Sequence, residues 1–122
     1  MKQDQDYDSL AALQARLKQF AVERDWEQFH SPKNLAMAMA GEVGEVMEHL
    51  QWLSAEQSEA LPDNTRDALA LELADVLFYL LRLAERLDIS MAEVAQAKLS
   101  INEQRYPAER VRGSSRKYNE YD

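Results

Sequence analysis

Glu42 and Glu45 stand three residues apart inside an apolar run from Leu35 to Leu53, and Glu72 and Asp75 repeat that spacing inside a second run from Leu69 to Leu83. Residues three apart on a helix share a face, so each run reads as a helix with a carboxylate pair on an otherwise apolar surface. Leu35-Ala36-Met37-Ala38-Met39-Ala40-Gly41 leads into the first pair, and Val76-Leu77-Phe78-Tyr79-Leu80-Leu81 follows the second, which predicts that all four acids are buried. A buried carboxylate with no partner takes up a proton, so four of them on two core helices call for a cation or for basic groups. Hard oxygen donors in a chain without cysteine or clustered histidine favour magnesium, or manganese, over zinc.

The rest of the chain supplies further helices. From Ser9 the apolar positions Leu10, Leu13, Leu17, Phe20 and Ala21 recur at three or four, the period of an amphipathic helix ending near Trp26. A short aromatic link, Trp26 to His30, precedes Ser31-Pro32, an N-cap with a first-turn proline that opens the second helix, which runs to about Leu53. Ser54 to Asn64 reads as a polar connection. The third helix is predicted from Asp63 or Asn64 to Leu87, and Ser90-Met91-Ala92-Glu93 has the form of a capping box opening a fourth that stops before Pro107. No β-alternation or hairpin signal appears. The expected architecture is all-α, a four-helix bundle. The third helix is apolar nearly all round, at Leu73, Val76, Leu77, Leu80, Leu81, Leu83 and Leu87, which predicts that bundles pair through a shared helical core as a dimer or tetramer. The domain boundaries that follow are a flexible tail over 1–8, a helical domain over 9–107 and a basic arm over 108–122.

Charge narrows the partners. The net charge of −8 over 122 residues argues against a nucleic-acid polymer, but residues 1–97 hold 8 basic and 18 acidic side chains while 98–118 hold 6 and 2. A small anionic ligand suits that division. The longest strictly apolar run, Val76 to Leu81, falls far short of the ~20 residues that span a bilayer, so no membrane role is expected. With no cysteine and no signal-peptide pattern after Met1, the expected location is cytoplasmic.

Glu42-x-x-Glu45, then 26 intervening residues, then Glu72-x-x-Asp75 resembles the MazG-like all-α nucleoside triphosphate pyrophosphohydrolases. The resemblance is closer to their dCTP pyrophosphatase branch. It is carried by Glu23-Arg24-Asp25-Trp26-Glu27-Gln28-Phe29-His30, Gly41 to Glu45, Gln51-Trp52, Lys98, Ile101-Asn102, Arg105-Tyr106-Pro107 and Ser114-Ser115-Arg116-Lys117-Tyr118, and it covers about residues 10 to 118. It implies an enzyme that converts a (deoxy)nucleoside triphosphate to the monophosphate and pyrophosphate, with Glu42, Glu45, Glu72 and Asp75 as magnesium ligands. Glu42 or Glu45 would accept the proton of the attacking water.

Lys98, Asn102 and Arg105 fall four and three apart on the fourth helix, on one side, where they can bind phosphate or sugar. Arg116 and Lys117 on the arm can close over the phosphates. For the base, Trp26, Phe29, His30, Trp52 and Tyr79 are the candidates, and Trp52 and Tyr79 lie on the acid faces, seven after Glu45 and four after Asp75. Some dCTP-preferring relatives carry a histidine where this chain has Leu17. His49 follows Glu45 by four, not the three of a di-iron Glu-x-x-His motif, and reads as structural. The competing readings are the same chemistry on another or a modified nucleotide, and a non-catalytic metal-binding helical assembly protein.

Overall fold

The computed structural model describes residues 9–120, and of Tyr118 the backbone alone. The tail over 1–8 and Tyr121 lie outside the described residues. All regular structure among the described residues is helical. Four long helices, α1 (Leu10–Glu23), α2 (Pro32–Leu50), α4 (Asp63–Arg86) and α5 (Met91–Arg105), stand close to where the apolar period of the first and the capping and proline signals of the others place them. Two short helices, α3 (Ala55–Ser58) and α6 (Ala108–Val111), and 3-10 turns at Glu27–Phe29 and Tyr118–Glu120 complete the order. No helix among the described residues is long and apolar enough to cross a membrane.

Local chemistry sets the boundaries. The Ser9 hydroxyl accepts the Ala12 N–H at 2.9 Å and starts α1. The Ser31 hydroxyl accepts that of Asn34 at 3.1 Å, with Pro32 in the first turn of α2. Helix α1 stops before the predicted Trp26 because Asp25 turns into the left-handed region at φ 55°. There the Asp25 N–H donates to the Val22 carbonyl and the Trp26 N–H to that of Ala21, a Schellman motif with aspartate in place of glycine. The same device ends α4 at Asp88, φ 57°, with Ile89 donating to Ala84 at 2.8 Å.

Helix α2 ends at Leu50, short of the predicted Leu53, because Ser54 starts α3 with a complete capping box: its hydroxyl accepts from the Gln57 N–H and Gln57 Oε1 accepts from the Ser54 N–H. Trp52 therefore lies beyond the helix, and the seven-residue spacing to Glu45 does not carry it onto the acid face.

The described chain forms two compact units, one up to Ile89 and one from Ser90. In the first, α2 and α1 both pack on α4. Its core is small: Ala21 of α1, Leu35 of α2, and Leu81 and Ala84 of α4 are buried, and Arg82 lies among them at 4% exposure. The burial expected for the four acids is not what the structure has, since Glu42 and Glu72 are half-buried and Glu45 and Asp75 exposed. Their apolar neighbours Met37, Val43 and Leu73 are exposed as well. The apolar surface of α2 and α4 is wider than their mutual contact, and the acids lie toward its open margin.

In the second unit the Ser90 hydroxyl accepts the Glu93 N–H at 3.4 Å, so half of the predicted capping box forms. Pro107, expected to stop a helix, also opens α6, and Gly113 at φ 77° turns the chain after it. Val94, Leu99 and Ile101 of α5 are exposed.

Candidate active site

Helix α2 presents Glu42 and Glu45, and α4 presents Glu72 and Asp75, on packed helices whose carboxylates act on one another. The Glu42 carboxyl is held above the ordinary glutamate range, first by a hydrogen bond shared with Glu45, then by burial, then by the charges of Glu45, Asp75 and Glu72. Two ionised carboxylates have no donor between them, so that hydrogen bond exists when one of the pair keeps a proton. Oε2 of Glu42 and Oε2 of Glu72 are each buried without a hydrogen-bond partner. His49 Nε2 stands 3.0 Å from that Glu72 oxygen. The contact is close enough for charge, yet its alignment is not that of a hydrogen bond, and it links the end of α2 to α4.

A donor set of carboxylate oxygens, two of them orphaned, suits a hard divalent cation. Among the described residues no three Asp, Glu or His groups are gathered tightly enough to hold one as they stand, so ligation requires the side chains to draw in.

Beside the acids lies a cavity of about 300 Å³, at the low end of the range for small-molecule sites. Leu17, Phe20 and Ala21 of α1, Trp26 and His30 of the aromatic link, and Asp75, Phe78, Tyr79 and Arg82 of α4 line it. The Trp26 ring meets Phe20 edge-on at 5.6 Å between centroids and His30 at 6.2 Å. Arg24 lies 3.6 Å over the other ring of this group, Phe20. Burial first, then the Arg82 and Arg86 guanidiniums, hold the His30 imidazole below its ordinary value, with Glu27 opposing.

Of the residues predicted to contact the base, Trp26, His30 and Tyr79 line this cavity, and Asp75 joins it to the acid cluster. Trp52, 86% exposed, does not. The structure adds Arg82, Phe20 and Phe78. Arg82 was legible as the only charge in Leu80-Leu81-Arg82-Leu83-Ala84 and as the third member, after Asp75 and Tyr79, of a four-then-three spacing on one helix face. The predicted phosphate-binding residues Lys98, Asn102 and Arg105 share one face of α5, and Arg116 and Lys117 follow α6, all in the second unit.

The MazG-like family model matches residues 37–121. Mouse dCTP pyrophosphatase 1 is 48% identical over 102 residues, covering 82% of this chain and 60% of its own length. The human protein of that name is 47% identical over 104 residues, 84% of this chain and 61% of its own length. This chain thus spans about three fifths of the length of these two mammalian relatives. The crystal structure of a pyrophosphatase from Archaeoglobus fulgidus aligns with a TM-score of 0.73 at 35% identity, over 78% of this chain and 89% of that one. By the extent of the family match and this level of identity, the chain belongs to the MazG-like family.

Proposed function

We propose that this protein is a divalent-metal-dependent nucleoside triphosphate pyrophosphohydrolase of the dCTP type, converting dCTP to dCMP and pyrophosphate. The observation that carries the reading is the position of Asp75, which belongs both to a four-carboxylate cluster and to an aromatic cavity sized for a single heterocycle. Phosphate chemistry and base recognition are then adjacent along one helix. The similarity to mouse and human dCTP pyrophosphatase 1 and to the archaeal pyrophosphatase supports it.

In this mechanism Glu42, Glu45, Glu72 and Asp75 hold magnesium or manganese. When bound, the ion neutralises triphosphate charge and acidifies the attacking water. Glu42 or Glu45 would accept that water's proton as its oxygen bonds to phosphorus and the P–O bond of the oxygen bridging the α and β phosphates breaks, separating the monophosphate from pyrophosphate. Trp26, His30 and Tyr79 seat the base. Lys98, Asn102, Arg105, Arg116 and Lys117 bind phosphate and sugar by charge-assisted hydrogen bonds. The exposed apolar residues of α4, Leu71 and Leu73, are covered by a second copy of the chain in a homodimer or homotetramer.

Pyrophosphate release from a panel of nucleoside triphosphates, C5-modified cytosine nucleotides included, with and without magnesium, tests the proposal. Release from dCTP is expected to depend on added metal. Glu45→Gln or Asp75→Asn keeps shape, removes charge and is expected to lower the rate by at least about 100-fold while circular dichroism stays unchanged. Release from no nucleotide would leave the non-catalytic assembly reading standing.

A further inference from the structure

We propose that Arg82 is a positioning residue that fixes the tautomer of His30, making that imidazole an obligate hydrogen-bond donor to the base and so selecting pyrimidines with an acceptor at N3, the cytosine class. The inference rests on the cavity being the base site.

Arg82 is nearly fully buried, and a buried guanidinium is costly unless carboxylates and hydrogen bonds compensate it. Its Nη1 donates to Glu85 Oε2, and its Nη2 stands 3.5 Å from Glu27 Oε1. Glu85 is in turn held by Lys18 of α1 at 3.3 Å. Nη2 makes no hydrogen bond among the described residues and faces Glu27 by charge alone, so the guanidinium is anchored at Nη1 and its rigid plane sets the direction of the N–H at Nε. That direction is toward His30: Arg82 Nε donates to His30 Nδ1 at 3.4 Å.

Arginine has no acceptor and does not deprotonate, so Nδ1 must be the unprotonated nitrogen. A neutral imidazole then carries its proton on Nε2. Burial and the cations Arg82 and Arg86 of α4 keep the ring neutral, with Glu27 the opposing charge; Asp75 lines the same cavity. No described residue accepts from Nε2, and edge-on contact with Trp26 helps hold the ring in the wall.

A hydroxyl or a side-chain amide can turn to meet either a donor or an acceptor. This imidazole cannot, because turning it would set a proton against Arg82 Nε–H. Cytosine, uracil and thymine all present O2 as an acceptor, but N3 is an acceptor in cytosine and an N3–H donor in uracil and thymine. A fixed donor directed at N3 pairs with the first and leaves two opposed donors with the others, the arrangement from which polar sites draw strong discrimination.

Nitrogen-15 NMR of the histidine rings in the intact protein at pH 7.5 reads the tautomer directly, with His30 assigned by loss of its signals in His30→Gln. Protonated Nε2 and bare Nδ1 are expected; an Nδ1–H tautomer or an imidazolium overturns the proposal. Titration with dCMP is expected to move the Nε2 resonance and dUMP to leave it in place, and equal responses overturn the base selection. Arg82→Met keeps length and removes the Nε–H. It is expected to mix the tautomers and lower the dCTP-over-dUTP ratio of kcat/KM at least tenfold. A mixed tautomer with an unchanged ratio overturns the proposal. Should Arg82→Met not fold, the two NMR measurements on the unaltered protein decide it. If the unaltered protein releases pyrophosphate from neither nucleotide, the proposed activity fails, while the tautomer is still decided by NMR.

Discussion

The surroundings of Glu42 oppose its ionisation. Its carboxyl is raised above the ordinary glutamate value of 4.5 by the shared hydrogen bond with Glu45, by burial and by three neighbouring carboxylates. A carboxyl whose folded value exceeds its unfolded one contributes stability that is fully present below the unfolded value and is lost as pH rises through the folded one. Metal-free Glu42→Gln, which cannot ionise, is therefore expected to unfold at a higher temperature than the unaltered protein at pH 7. The difference should shrink to nothing below about pH 4. Thermal unfolding followed by circular dichroism between pH 4 and 8 in a chelator checks this. A less stable variant at pH 7 would mean that favourable contacts of the ionised group outweigh its repulsions. His30 has the opposite sign: held neutral, it contributes stability above its ordinary value near 6.5 that is lost as pH falls through its lowered folded value.

Helix ends carry much of the definition of this fold, and they are where the reading from sequence both succeeds and fails. Ser9, Ser31 and Ser90 announce helix starts because a short hydroxyl before an apolar period has one favourable use. The stops of α1 and α4 are less legible, since Asp25 and Asp88 occupy positions that usually announce themselves with glycine. Left-handed backbone costs a residue with a Cβ about 1 kcal/mol. Asp88 makes no side-chain hydrogen bond among the described residues, so Asp88→Gly is expected to stabilise by about that amount and raise Tm by about 4 °C. Differential scanning calorimetry measures it, and a lower Tm would show that the aspartate has a compensating interaction. Helix α3 was equally readable in principle. Ser54-x-x-Gln57 is the sequence form of the capping box that the structure contains, but its four residues lack an apolar period to draw attention to it.

For the molecule as a whole, the all-helical character follows from periodicity alone, and the acid spacing identifies the helices that meet. The degree of burial does not follow, because an apolar run says that a surface prefers cover without saying what supplies it. Leu71 is 72% and Leu73 52% exposed, and Leu87 and Trp52 are exposed as well. If a second copy covers the α4 face, size-exclusion chromatography with light scattering at micromolar concentration is expected to give at least twice the 14.0 kDa of one chain. A mass of one chain would show that this apolar surface stays in water. The aromatic members of the site were legible as types, whereas Arg82 was not singled out, because its role depends on Glu27 and His30, which only the folded chain brings beside it.

The walls of the cavity come from opposite ends of the first unit, α1 on one side and the C-terminal half of α4 on the other. Polar contacts between them include the Lys18–Glu85 ion pair and the Gln14 amide donating to the Ile89 carbonyl at 3.4 Å, beside the apolar packing that buries Ala21. Joining walls so distant along the chain carries a loop-closure entropy that their packing has to offset. The cavity is therefore also a clasp. A ligand that bridges both walls would hold α1 down, so α1 amides are expected to exchange with solvent more slowly in proportion to its occupancy.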